Sequence, residues 1–366
     1  MLNIETPTLL LDKDRCLKNI KHMTERATHY GISLRPHFKT AQSLKNGLWY
    51  KDFGVDKITV SSLLMAEYFA DDWKDITVAF PVNILEIIRI NRLAEKLDNL
   101  QLLVEDSSEI EKLNTCLVTS VNILIKIDSG TGRSGIKAED ISTIKNVLSR
   151  LEQSEKLKFI GFLTHAGHSY KARGLAEIIK VHNNSTSLMR KLKATFINDY
   201  PELILSVGDT PTCSIADDWA EIDEWRAGNF TFFDLMQWQI GSCSLENIAV
   251  ALACPIVAKH ADRLELVLYG GGVHLSKDSI LLNEKPIYGL LSKLNDNSWN
   301  LPETENYIRS LSQEHGLAKV SKDFFDSVSV GDVLTVLPVH SCLTADSMKT
   351  YMDFEGNAYD HFIGHY

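Results

Sequence analysis

Six short stretches of the chain set chemically able residues at close spacing. Arg35-Pro36-His37-Phe38-Lys39-Thr40 places a lysine among cationic neighbours. Partly buried there, its amine loses a proton readily and can condense with a carbonyl as a Schiff base. Lys126-Ile127-Asp128-Ser129-Gly130-Thr131-Gly132-Arg133 runs from a strand into a glycine-rich turn. Asp128 can orient a cationic group, and Arg133 can hold a phenolate or carboxylate with its planar fork. His165-Ala166-Gly167-His168-Ser169-Tyr170 supplies two imidazoles and a phenol, suited to acid–base work, to stacking on a ring or to a metal. Gly208-Asp209-Thr210-Pro211 offers a glycine for close backbone approach, then a helix cap and a proline for the first turn. A helix start after a strand is an anion site. Arg226-Ala227-Gly228-Asn229 can bring further N–H groups to the same anion. Finally, His340 and Cys342 are a borderline and a soft ligand of the kind Zn2+ takes. Two ligands are too few for a closed structural site and suit an open catalytic one. Each stretch also has a plainer reading, as a surface lysine, a tight turn, a hydrogen-bonded loop or a capped helix.

The elements that carry these stretches give them a common placement. Residues 12 to 30 read as an amphipathic helix, with Cys16, Ile20, Met23, Ala27 and Tyr30 on one face, Asp12 as its cap and Gly31 as its stop. Short apolar runs then alternate with helical stretches. The runs are Ile32–Leu34, Ile58–Val60, Ile76–Phe80, Leu100–Val104, Ile123–Ile127, Phe159–Leu163, Leu203–Val207 and Phe230–Phe233. Buried parallel strands read as unbroken apolar runs with helical crossovers. Eight such units predict an α/β protein with a (β/α)8 TIM-type barrel, a doubly wound open sheet being the alternative. Five of the six stretches fall at strand ends of that one barrel, where barrel active sites form. From about Gly241 helical periodicity weakens, and Ala249–Ala258, Arg263–Tyr269 and Val333–Leu337 read as strands of a mainly β domain. The expected division is residues 8–240 for the barrel and 241–366, with 1–7, for the β domain. Gly270-Gly271-Gly272 reads as a turn, since it lacks the spacing of a phosphate loop.

Composition limits the classes of function. With 44% hydrophobic and 23% charged residues, the chain can bury a core without staples. A net charge of -10 without a basic cluster argues against nucleic acid as a partner. No apolar run approaches the length of a membrane span, so no membrane partner is expected. The six cysteines are scattered without a Cys-x-x-Cys pair, which fits reduced thiols. The opening residues lack a basic stretch followed by a long apolar run, so no signal peptide is expected and the expected location is cytoplasmic.

Taken in order, these motifs resemble the fold type III, alanine-racemase-like pyridoxal-phosphate enzymes, and within them the D-threonine aldolase and eukaryotic-type D-serine dehydratase group. The resemblance runs from Thr6-Pro7-Thr8-Leu9-Leu10-Leu11-Asp12 to Pro338-Val339-His340-Ser341-Cys342. It implies pyridoxal 5'-phosphate carried on Lys39, with His165 and Tyr170 beside it. It implies phosphate contacts from Gly208, Asp209 and Thr210 and from Gly228 and Asn229. Arg133 resembles an arginine near the phenolic oxygen, and Arg226 the arginine at the pyridine nitrogen in alanine racemases. His340 and Cys342 match a metal pair, usually Zn2+, that alanine racemases lack. Two positions depart from the family pattern. Lys39-Thr40 is followed by Ala41-Gln42 where His-Lys is frequent, and Val339 stands where Asn is frequent.

The resemblance implies a lyase for small D-3-hydroxy amino acids. One route is dehydration, with Lys39 taking the α-proton. The other is retro-aldol cleavage, with His165 or His168 as base; the sequence does not decide between them, and aldolase-like chemistry is the slightly preferred expectation. A metal-free racemase and a non-catalytic pyridoxal-phosphate carrier are the alternatives, and residues 241–366 count against the carrier. A homodimer is implied as well.

Overall fold

The computed structural model describes residues 2–364. Eight parallel strands follow one another: β1 Ser33–Leu34, β2 Lys57–Val60, β3 Asp75–Pro81, β4 Asn99–Val104, β5 Val121–Asp128, β6 Leu157–Thr164, β7 Ile204–Val207 and β8 Glu224–Trp225. They pair in the order β1-β8-β7-β6-β5-β4-β3-β2, and Ile136–Lys137 adds a short strand beside β5. An isolated parallel bridge between His37 and Thr59 joins the two ends. Phe38 N donates to Thr59 O (2.8 Å) and Thr59 N to Pro36 O (2.9 Å), so the sheet closes as a barrel. The predicted barrel is therefore the fold, and the open sheet is not.

Seven strands coincide with the apolar runs, because most of their residues are buried. Ile123, Leu124, Ile125 and Ile127 of β5, for instance, are all fully buried. The eighth differs. Phe230–Phe233 is no strand, and Asn229–Thr231 forms a single turn of 3-10 helix. The pairing strand is Glu224–Trp225, bound to Ser33–Leu34 on one side and Ser206–Val207 on the other. Arg226, Gly228 and Asn229 thus leave the eighth strand rather than enter it, and join the other stretches at the C-terminal ends.

A polar thread crosses the ring. Asn122 Nδ2 donates to Asn99 Oδ1 (2.7 Å), and Asn99 Nδ2 to Asp75 Oδ1 (2.9 Å). Arg35 reaches Asp75 through Nη1 (2.5 Å) and Glu224 through Nε (2.6 Å). Ser206 Oγ donates to Glu224 Oε1 (2.6 Å) and accepts from Arg226 Nη1 (2.5 Å). Arg226 Nη2 ends the thread on Thr164 O (2.6 Å). Burial works against both guanidiniums, and Glu224 opposes it. Arg35, with Asp75 as well, is held above the ordinary arginine range, whereas Arg226 is lowered to about 10.

The helix expected at 12 to 30 spans Lys13–His29. Asp12 caps it, accepting Arg15 N at 3.0 Å, and Gly31 follows it at φ +68°. The second sheet contains β9 Val250–His260, β10 Glu265–Tyr269 and β11 Val333–Pro338, all near their predicted places. The strand Thr8–Leu11 also belongs to it, antiparallel to Val250–Ala253. Contacts accordingly divide the chain otherwise than at residue 240. One unit holds residues up to Lys21 with Thr40–Asn46 and Asn229–Ile363, and the other His22–Lys39 with Gly47–Gly228. The reason is long-range pairing, which puts an N-terminal strand into the C-terminal sheet. Residues 1, 365 and 366 of the expected β domain lie outside the described residues.

Candidate active site

Within the barrel unit, five strand ends deliver the expected groups. Lys39 is exposed beyond β1, and its backbone N donates to His37 Nδ1 at 3.3 Å. His165 follows β6. Its Nδ1 lies 2.5 Å from Gly208 O, so this nitrogen carries the proton and Nε2 the lone pair. Burial, then the charge of Lys39, lowers its pKa to about 3, with Arg226 and Lys126 adding to the effect. His165 is therefore neutral at ordinary pH. Tyr170 lies in the 3-10 turn Gly167–Lys171, its ring 6.2 Å from that of His165. His168 sits in the same turn, its Nδ1 3.4 Å from Thr131 Oγ1. Thr131 Oγ1 also donates to His165 O at 3.2 Å, which ties this turn to the glycine-rich loop after β5. Asp128 organises that loop by accepting from the backbone N–H groups of Gly130, Thr131 and Gly132. Arg133 is exposed on it.

The glycines at the mouth are required by neighbouring backbone. A Cβ on Gly208 would sit 2.6 Å from Arg226 N, and one on Gly228 would sit 2.4 Å from His37 O. The close approach expected of Gly208 is thus first an approach to Arg226. The Asp209 side chain is committed to capping Thr210–Ile215. It accepts from Thr212 N (2.9 Å), Thr212 Oγ1 (2.7 Å) and Ser169 Oγ (2.7 Å). Its contribution to an anion is then through the backbone. Thr210 Oγ1, by contrast, is buried without a hydrogen-bond partner among the described residues.

Lys126 belongs to this mouth as well, although sequence reasoning gave it no role. Burial, then Arg226 and Arg133, lowers it to about 8. Its Nζ donates to Ile127 O at 3.2 Å. The signal was a lysine inside the otherwise apolar run of β5. Burial is the largest cause of the lowered pKa values of Lys126 and His165, and the positive charges of Lys39, Arg226 and Arg133 add to it, a part that a phosphate dianion would offset. With the unpartnered Thr210 hydroxyl, the mouth fits the phosphate and ring of pyridoxal phosphate.

The other unit holds the predicted metal pair. His340 and Cys342 flank the start of the helix Ser341–Met348. His340 Nδ1 is 2.8 Å from Asp278 Oδ2, which leaves Nε2 for another partner. This is the carboxylate–histidine arrangement that orients metal-binding imidazoles. Burial works against a charge on His340, but Cys342, Asp234 and Asp278 outweigh it and raise its pKa to about 10. Cys342 Sγ contacts Thr40 Oγ1 and Asn229 Nδ2, each at 3.4 Å. Among the described residues no group of three or more His, Cys, Asp or Glu side chains is placed to hold a metal. The pair fits an open two-ligand site. Asp278 had no motif to announce it. Ser276, two residues before it, holds φ 65° and ψ -178°, a region normally left to glycine.

The departures from the family pattern are absorbed by packing. Ala41 is buried and its carbonyl accepts the Tyr351 hydroxyl at 2.5 Å. Gln42, at φ +50°, donates to Asp346 Oδ1 at 3.3 Å. Val339 is buried and its carbonyl accepts Met236 N.

Known proteins share this arrangement. Residues 11–235 match the description "Alanine racemase, N-terminal domain", and residues 249–353 match "Putative serine dehydratase domain". The chain is 26% identical over 377 residues to a D-serine dehydratase of Dictyostelium discoideum, covering 95% of this chain and 93% of that one. It is 27% identical over 366 residues to a D-threo-3-hydroxyaspartate dehydratase of Delftia sp. strain HT23, covering 96% and 94%. A solved structure of the Delftia enzyme superposes with a TM-score of 0.90 at 25% identity, over 99% of this chain and 98% of that one. Two further structures of that dehydratase are a histidine-to-alanine mutant and a cysteine-to-alanine mutant in the metal-free form. The chain belongs to the family that carries the alanine racemase N-terminal domain, here followed by a putative serine dehydratase domain.

Proposed function

We propose that this chain is a pyridoxal-phosphate-dependent lyase that dehydrates a small D-3-hydroxy amino acid such as D-serine or D-threo-3-hydroxyaspartate. The observation that carries the reading is the barrel mouth, where Lys39, His165, Lys126, Arg133 and Arg226 converge beside an unpartnered buried Thr210 hydroxyl. Lys39 would hold the cofactor, with Thr210 and the backbone after Gly208 and Gly228 at its phosphate. Bound there, the cofactor withdraws electrons from the substrate α-carbon. Lys39 would take the α-proton, the role that the resemblance implies for it. His165, kept neutral by burial and the charge of Lys39 and oriented by Gly208 O, offers a flat ring for packing and no charge. Arg226 is pinned by Ser206 and Thr164 and keeps a positive charge under the site. His340 and Cys342 would hold a divalent cation, Zn2+ by chemistry, which there acts as a Lewis acid on a hydroxyl.

Dehydration is favoured over retro-aldol cleavage on two grounds. A histidine with pKa about 3 is a weak base, which counts against His165 in the aldol role. The relatives at 26% and 27% identity over the whole length are dehydratases, whereas the D-threonine aldolase of Arthrobacter sp, which matches 93% of this chain, is 21% identical.

A homodimer is proposed on the resemblance alone; Phe80, Leu85 and Ile88 are 60%, 89% and 74% exposed. No disulfide forms among the described residues, which suits a reducing cytoplasm. No helix among the described residues is long and apolar enough to cross a membrane.

The test is product analysis with D-serine, D-threo-3-hydroxyaspartate and D-threonine on protein loaded with pyridoxal phosphate and Zn2+. A 2-oxo acid and ammonia are expected, with loss of product and of visible cofactor absorbance in Lys39→Ala, and loss of product after EDTA. Glycine and an aldehyde would move the assignment to aldolase. Retained absorbance in Lys39→Ala would overturn it.

A further inference from the structure

The resemblance gives Asn229 to a phosphate, but its side chain serves another partner. Asn229 Nδ2 lies 2.8 Å from Asp234 Oδ2, 3.1 Å from Ser341 Oγ and 3.4 Å from Cys342 Sγ. Asn229 Oδ1 is buried with no hydrogen-bond partner among the described residues. An amide that served only to fill space would turn to satisfy its oxygen, since a buried unpaired acceptor is costly. Asp234 prevents that turn. A carboxylate only accepts, so it selects the amino end of the amide. Asp234 is itself 1% exposed and fixed, accepting Gln237 N (2.9 Å) on Oδ1 and Ser341 N (3.0 Å) on Oδ2. One amide hydrogen goes to the carboxylate. The other is aimed at Ser341 Oγ and the Cys342 sulfur.

That aim matters little to a neutral thiol, which is a weak acceptor, and much more to a sulfur that ligates a cation as thiolate. Thr40 Oγ1 lies at 3.4 Å on the same sulfur, and its hydroxyl can rotate to donate. We propose that Asn229 is a positioning residue for the metal pair: its amide N–H, aimed by Asp234, steadies the Cys342 sulfur in the form that ligates a divalent cation. The inference rests on reading His340 and Cys342 as that pair. The Asn229 backbone stays available to the turn after Gly228.

The experiment reads metal affinity, not turnover. Protein loaded with pyridoxal phosphate is stripped of metal and titrated with Zn2+ against a chromophoric chelator, for the parent, Asn229→Ala and Asn229→Leu. The leucine keeps the volume without an N–H and reads the chemistry if the alanine loosens the fold. The expected result is about a 10–100-fold loss of Zn2+ affinity in both variants, the size typical of outer-sphere partners. Visible cofactor absorbance stays at the parental value, and the metal-free melting temperature falls only by the few degrees that the lost bond to Asp234 accounts for. Affinity unchanged within about twofold, against a tightly binding parent, overturns the role of Asn229 alone. Affinity lost together with melting temperature and absorbance makes the residue structural and also overturns it. A parent that binds no Zn2+ overturns the metal pair itself, and the inference with it.

Discussion

Replacing Glu224 by glutamine changes one atom and one charge in the middle of the polar thread, and both changes are unfavourable. Glu224 has a donor on each oxygen, Arg35 Nε on one and Ser206 Oγ on the other. A glutamine must turn its amino group toward one of them. Facing Arg35, it sets donor against donor. Facing Ser206, it strands that hydroxyl's proton, because Ser206 Oγ is already the acceptor for Arg226. Neither orientation is satisfied, and Arg35 and Arg226 lose the carboxylate they share. Both guanidiniums are buried, 2% and 5% exposed, so water cannot substitute. Removing one partner of a buried pair costs about 3–5 kcal/mol. At roughly 2–4 °C per kcal/mol for a unit of this size, the melting temperature falls by about 6–20 °C. Differential scanning calorimetry of the parent and Glu224→Gln measures it directly. A variant that melts within about 2 °C of the parent would refute the reasoning, because the thread would then be hydrated or unimportant to the barrel.

Three other outcomes are expected. Thr210→Val should weaken pyridoxal phosphate binding while leaving the melting temperature of cofactor-free protein unchanged, since the lost hydroxyl has no protein partner; equal cofactor affinity would remove Thr210 from the cradle. Gly228→Ala should destabilise by about 1–3 kcal/mol, because its Cβ meets His37 backbone that must move, and an unchanged melting curve would contradict that packing. His37, His165 and His182 are all held below the ordinary imidazole range, burial being the largest cause in each. They stay neutral when folded, while the unfolded chain takes up protons below about pH 6.5. Stability is therefore present above that pH and lost as pH falls toward the folded values, by up to about 1.4 kcal/mol per unit for each histidine. Calorimetry that shows no decline between about pH 7 and pH 5 would count against this.

The seven strands that were legible in the sequence are those whose residues are mostly buried and apolar, where composition alone marks the element. The eighth was hidden because Glu224–Trp225 offers two residues, one a buried carboxylate, while Phe230–Phe233 nearby is more apolar and forms no strand. The same holds for the site. Lys39, His165, Gly208 and Arg226 stand in short motifs and could be read there. Asp234 and Asp278 act through partners far away in sequence, Asp278 on His340 and Asp234 on Ser341, and no local pattern announces such pairs. Unit membership was illegible for the same reason, as Thr8–Leu11 finds its partner only at Val250–Ala253.

That last pairing sets an order of events during synthesis. Thr8–Leu11 leaves the ribosome early as an apolar strand with no partner yet made. Every residue of the barrel emerges before Val250 does, and Tyr351–Met352, which pairs on its other side, comes almost last. At roughly 5–20 residues per second the wait is on the order of tens of seconds, long compared with the closure of local structure. The barrel unit can thus close while the first strand is still idle, and chains cut short before residue 250 carry a sticky edge that their own remaining sequence cannot cover. C-terminal truncation should then tax chaperone capacity and inclusion-body load long before it touches a residue of the barrel.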